Sequence, residues 1–208
     1  MVQCTNQQSA PSDQVDGISA RNPKLGELSP GRRAILEDDS MSPPSVHEGD
    51  WFTVPLRNGG YALGVVARKG KGGVLVGYFF GPRREAVPTL EDAEHLAPNE
   101  AVLVEHFGDL SLRDRSWPLL GPLKSWRREA WPIPNFTRVE PLGGRAWIVI
   151  YGDDPRTALR EEPCSKEAAS KLRPDGLAGA GAVEIQMTQL LPVTQHEETK
   201  PKRASRSE

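Results

Sequence analysis

The stretch GDWFTVPLRNGGYALGVVARKGKGGVLVGYFFG, from Gly49 to Gly81, leaves the chain few options. Apolar residues alternate through WFTVPL, which puts Phe52, Val54 and Leu56 on one face of a strand. RNGG follows, and its Asn58-Gly59 pair takes positive φ at little cost, as a tight hairpin needs. In YALGVVA, Tyr61, Leu63 and Val65 alternate with Ala62, Gly64 and Val66. A glycine inside a strand, here Gly64, predicts a bulge or a sharp bend, as at a barrel corner. KGKGG is the next turn and VLVGYFF the third strand. Pro55 has no N–H to give a ladder, so the first strand is expected at an edge or bulged there. Three short, bent strands with close turns predict a mostly β (α+β) fold, a small SH3-like, partly open barrel with short helices and a long ordered loop rich in Trp and Pro.

That loop is GDLSLRDRSWPLLGPLKSWRREAWPIPNFTRVE, with four prolines and three tryptophans. It is too rich in proline for regular structure and too apolar for disorder. It is expected to pack on the barrel and to end in a strand near Phe136 to Val139. RAWIVIY, rich in β-branched and aromatic residues, predicts another strand. PTLEDAEHLAP reads as a short helix opened by Thr89, with Asp92 three residues on, and stopped by Pro98. DDPRTALREEP and SKEAASKLRP read as short helices capped by Asp154 and Ser165. After the Gly-rich connector DGLAGAGA, VEIQMTQLL alternates Val183, Ile185 and Met187 with Glu184, Gln186 and Thr188, which predicts a strand with one wet face.

Residues 1–45 are rich in Ser, Pro, Gln and Asp without an apolar period, and are expected to be a disordered N-terminal extension. Met41, just ahead of the ordered pattern, is a candidate start. Residues 195–208 read as a disordered charged tail, leaving 46–194 as a single β-rich domain of ordinary size. The N-terminus lacks a basic start followed by an apolar core, and no apolar run approaches the ~20 residues that cross a bilayer. A cytoplasmic location without a membrane partner is the expectation. The two cysteines, Cys4 and Cys164, suggest neither a disulfide framework nor a zinc cluster.

Lys plus Arg number 26 against 28 Asp plus Glu, so no overall field favours nucleic acid or an anionic membrane. Of the four histidines, His106 on the strand AVLVEHF lies near Asp109. There is no G-x-S-x-G elbow, and the pair reads as a strand histidine bonded to a loop carboxylate rather than as catalytic machinery. Neither C-x-x-C nor H-E-x-x-H occurs. The glycines Gly176, Gly179 and Gly181 precede a predicted strand, whereas a dinucleotide fingerprint must follow a strand and open a helix. No catalytic, cofactor-binding or metal-binding residue is assigned, and no cofactor is expected.

The tryptophan segment carries the strongest local signal. Between residues 113 and 138, six basic side chains face two acidic ones. Trp117 and Trp131, each followed by proline, read as packing residues. Trp126, in KSWRRE, has charged neighbours and reads as exposed. Arg113, Arg115, Trp126, Arg127 and Arg128 are therefore the candidate partner-binding residues. Aromatic and guanidinium groups of this kind serve protein hot spots and single-stranded nucleic acid alike. Core packing ranks first, a protein interface second and nucleic acid third.

The pattern GDWFTVPLRNGGYALGVVA resembles the opening of the immunity protein 26 family of bacterial polymorphic toxin systems: Gly49, Asp50, Phe52, Pro55, Leu56, Gly59, Tyr61 and Gly64 fall at the matching positions. The segments FGDLSLRDRSWPLLG, AWPIPNF and PDGLAGAGAVEIQMTQLL are also similar, so the resemblance spans Glu48 to Leu191. Where the family carries a basic residue after the central glycine this chain has Val65, and no role passes to that side chain. The resemblance implies a non-catalytic immunity protein that binds a cognate toxin protein and blocks it. The runner-up is a small-barrel protein that binds nucleic acid through the basic Trp-containing loop. No oligomeric state is implied.

Overall fold

The computed structural model describes residues 42–193. The extension expected over residues 1–45 lies outside them except for its last four residues, and so does the tail expected over 195–208. Strands β1 (Asp50–Pro55), β2 (Tyr61–Lys69) and β3 (Val74–Arg84) form an antiparallel meander. The turn after β1 closes through hydrogen bonds from Gly59 N to Leu56 O and from Leu56 N to Gly60 O, both 3.0 Å. Gly59 and Gly60 take the positive φ values, +86° and +71°, rather than Asn58 and Gly59. β4 (Leu103–Gly108) pairs with β3, and β5 (Leu119–Pro122) adds to the outside of β1. The long Trp/Pro segment therefore contributes the short helix α1 (Leu110–Arg113) and a sheet strand, not loop alone.

β6 (Phe136–Val139), β7 (Ala146–Tyr151) and β8 (Ala158–Cys164) form a second, antiparallel sheet. The helix expected from DDPRTALREEP is instead a turn and then β8. Asp154 accepts from Arg156 N at 3.0 Å, which satisfies the turn, and the chain then pairs along the free edge of β7. Ser165 does cap α2 (Lys166–Ala169), accepting from Ala168 N at 3.1 Å. β9 (Arg173–Pro174) runs parallel to β6, and β10 (Leu177–Ala178) parallel to β4. The strand orders are β10-β4-β3-β2-β1-β5 and β8-β7-β6-β9. The fold is mostly β with short helices, in two open sheets rather than one closed barrel.

Both faces of the six-stranded sheet are covered. Phe52, Val54, Ala62, Val66, Leu75, Phe79 and Phe107 enter one core, with Leu112 of α1 and Trp117. Trp51, Leu63, Val65, Ala67, Val76, Tyr78 and Phe80 enter the other, capped by Ala93 and Trp131. The alternation predicted for β1 and β2 is present, but it divides two buried faces rather than a dry face from a wet one. Pro55 lies beyond the β5 ladder, which reaches only Phe52, so its missing N–H is opposite no strand. Gly64 makes no bulge: the irregularities of β2 fall between Tyr61 and Leu63 and between Val66 and Arg68.

VEIQMTQLL is not a strand. It belongs to helix α3 (Ala180–Leu190), in which Val183, Met187 and the following Leu191 recur every four residues and are buried in the first core. Ile185, which the alternation put beside them, is half exposed. A four-residue apolar spacing and a two-residue one share Val183 and Met187. The open sheet face beneath needed a helix to cover it, and that settles the choice. Arg57 pairs with Glu184 at 2.9 Å, and Trp117 Nε1 donates to Glu184 Oε1 at 3.0 Å, fixing α3 on the sheet.

Candidate functional site

The five candidate contact residues separate into two groups. Arg113, the last residue of α1, and Arg115, just beyond it, are exposed, while Leu112 of the same helix packs into the first core. Arg115 adopts a positive φ of 64° and donates to Ser42 O at 3.1 Å. Trp126 packs against the second core, on the opposite face of the main sheet, with Arg127 and Arg128 beside it.

Trp126 is half-buried, not exposed. Its indole lies over Gly49, where a Cβ would come within 2.8 Å of Cδ2. Arg128 donates from Nε to Glu48 at 2.7 Å and pairs with Asp153 at 3.0 Å, so its charge is already compensated. These contacts hold Asp153 below the usual carboxylate range, its hydrogen bond from Arg128 first among the causes. Beneath them lies Arg68, buried, donating to the carbonyls of Ala67, Arg128 and Trp131 at 2.7, 3.2 and 2.9 Å. Buried backbone carbonyls need donors, and one guanidinium supplies three. Arg68 thus fixes the loop to β2, a role that no local sequence signal marked. Arg127 is exposed and, among the described residues, donates to the nearby carbonyls of Lys124 and Trp126. With Trp126 packed and Arg128 paired, the open stacking platform that single-stranded nucleic acid requires is not formed by these two residues.

A second cluster lies where the sheets meet. His106 of β4 sits between Phe136 of β6 and Tyr151 of β7, ring centroids 4.5 and 4.7 Å away. Its expected partner, Asp109, is elsewhere: Asp109 N bonds to Gly73 O at 2.9 Å, and its carboxylate lies beside Gly73. The carboxylate facing His106 is Asp175, 4.0 Å from Nδ1, beyond hydrogen-bonding distance. Asp175 instead accepts from the Tyr151 hydroxyl at 2.8 Å. Nothing in the local sequence marked Asp175. It reaches His106 because β10 pairs parallel with β4, while Asp175 N bonds to Thr137 O at 2.7 Å.

The electrostatics of this seam are those of a partly dry pocket. Burial pushes the His106 pKa down, against the pull of Asp175, so the imidazole is neutral near pH 7. Burial and the bond to Asp175 push the Tyr151 phenol up, keeping its proton in place. A hydroxyl so held is no nucleophile, and the imidazole is beyond hydrogen-bonding reach of the carboxylate. The trio therefore offers hydrogen-bonding and charge complementarity rather than an activated group. Beside it, burial raises Glu105 while Arg173, 2.6 Å away, lowers it. Among the described residues no helix is long and apolar enough to cross a membrane.

Comparison with known families supports the resemblance read from the residues. The family described as immunity protein 26 matches residues 47–148. The match takes in β1 to β6 and the start of β7. It is shorter than the span of Glu48 to Leu191 read from the residues, leaving PDGLAGAGAVEIQMTQLL outside. No curated protein and no solved structure matches the chain.

Proposed function

We propose, from the premise that this chain carries the immunity protein 26 signature over residues 47–148, that it binds a cognate bacterial toxin protein and neutralises it by occlusion, without chemistry of its own. The family match is the observation that carries this reading. On it, the partner is a toxin of a polymorphic toxin system, met in the cytoplasm of the cell that makes both.

The geometry supports a binder that is rigid before it meets its partner. The main sheet is filled on both faces by aromatic rings, Phe52 stacked on Trp117 at 5.7 Å and Trp51 edge-on to Trp131 at 5.8 Å. A preorganised surface loses little entropy on association, and a standard interface of about 1,600 Å² then suffices for tight binding. Arg127, on the loop that Arg68 anchors, is the contact we assign to the toxin, with the edge of Trp126 and the paired Arg128 flanking it. Arg113 and Arg115 form a second contact on the far side of the sheet.

Co-expression tests the reading. Growth of cells producing a toxin encoded beside this gene should be rescued by the intact chain and not by an unrelated domain of similar size. Failure to rescue against every such toxin would overturn it.

A further inference from the structure

The seam between the sheets holds a cavity of about 300 Å³ lined by His106, Tyr151, Asp175 and Gly176, with Arg156 and Leu177 at its rim. That volume is at the small end for ligand sites. It suits one side chain or a small organic molecule.

Two groups in this cavity are incompletely satisfied. His106 is 3% exposed, yet neither ring nitrogen has a hydrogen-bond partner. Buried polar atoms of this kind are rare and costly. The Asp175 side chain is 23% exposed and has no Lys or Arg within ion-pairing distance among the described residues. One of its oxygens accepts from Tyr151, and the carboxylate keeps acceptor capacity. Neighbouring carboxylates, by contrast, are paired: Glu105 with Arg173, Asp153 with Arg128, Glu184 with Arg57. The lining groups thus include a carboxylate with no Lys or Arg at ion-pairing distance, a neutral imidazole, and the ring of Tyr151. All three favour a cation that donates hydrogen bonds.

We propose that this cavity is a socket for an organic cation, an ammonium or guanidinium group, which ion-pairs with Asp175 and packs against the His106 and Tyr151 rings. On the function proposed above, the cation is a Lys or Arg side chain of the bound toxin, and the socket fixes that anchor at the junction of the sheets. Arg156 does not oppose this. It also lines the cavity, but it is exposed, its stem rests against Gly70, and it makes no ion pair with Asp175 among the described residues. Of the lining residues, His106 lies within the family-matched span, and Tyr151, Asp175 and Gly176 lie beyond it.

The test begins with the full chain alone, so its outcome does not depend on the immunity reading. N-acetyl-arginine methylamide, N-acetyl-lysine methylamide and putrescine are titrated in turn while the His106 imidazole resonances are followed by NMR. Saturable shifts are expected, with affinity reduced about ten- to a hundredfold in Asp175→Asn, the usual effect of losing a charged hydrogen-bonding partner. Tyr151 can still donate to the asparagine oxygen, so that variant should fold. Gly176→Leu provides a second variant. A Cβ at 176 meets nothing within 4 Å, so a side chain is accommodated at this lining position and should obstruct the cavity, abolishing the shifts. A preference for the capped residues over putrescine assigns the socket to a protein side chain, and the reverse to a free amine. No saturable response to any of the three cations would overturn the proposal. So would equal responses in the wild type and Asp175→Asn. If cations bind and no toxin does, the socket stands and the immunity reading falls.

Discussion

The ring of Phe52 lies flat across Gly64, its cross-strand partner, so that a Cβ at position 64 would fall well inside 3.0 Å of Cε2 and Cζ. Gly64 is therefore the floor on which the ring rests, not a strand bend. The ring stacks on Trp117 with planes 10° apart and meets Phe79 and Phe107 at 5.8 and 5.7 Å. This one relationship joins β1, β2, β3, β4 and the Trp segment in a single aromatic cluster.

Gly64→Ala should therefore destabilise the protein by overpacking, by about 1 to 3 kcal/mol. The cost should shrink when Phe52 is also replaced by Leu, because the smaller side chain vacates the floor. Urea denaturation of the two single variants and the double variant measures the coupling. Additive losses would contradict the relationship.

Arg68→Ala removes three hydrogen bonds to buried carbonyls and should cost about 2 to 4 kcal/mol. The loss should be accompanied by faster amide exchange across residues 124–131, the segment Arg68 holds to β2. Arg68→Lys should recover only part of the stability, since the shorter side chain falls short of the position of Nη1, from which all three bonds are made, and loses the Nε contact with Asp153. Hydrogen-exchange mass spectrometry reads the local effect separately from the global one.

His106 gives the protein a pH dependence of known sign. Its pKa is depressed by burial, so between that value and the ordinary 6.5 the unfolded chain binds more protons than the folded one. Stability should fall as the pH drops below about 6.5. The raised carboxyl of Glu105 acts in the opposite sense, because its folded form takes up a proton more readily than its unfolded form. The difference between wild type and His106→Gln isolates the imidazole. Thermal melts from pH 7.5 to 5 should show the variant's Tm declining less, and an equal decline would count against a neutral buried imidazole.

Arg127→Glu should weaken toxin binding at least about tenfold while leaving Tm within a degree or two, because the side chain is exposed and its bonds among the described residues are to nearby carbonyls. Calorimetric titration against the co-encoded toxin checks it. Arg128→Glu, by contrast, should lower stability as well, by placing like charges beside Glu48 and Asp153.

The sequence by itself determined the β1–β2–β3 meander, its glycine turns, the packing of Trp117 and Trp131, and the family signature. Alternation, turn chemistry and residue size are local properties, and they act before any distant contact forms. Tertiary structure decided the rest. It made a helix of the segment around Val183 and Met187, because an uncovered sheet face lay beneath them. It packed Trp126, half-buried, over Gly49, and it gave His106 the carboxylate of Asp175 in place of that of Asp109 nearby in the chain. Which face is covered, and which charge meets which, depends on elements brought together from far along the chain. No periodicity within a short window encodes that.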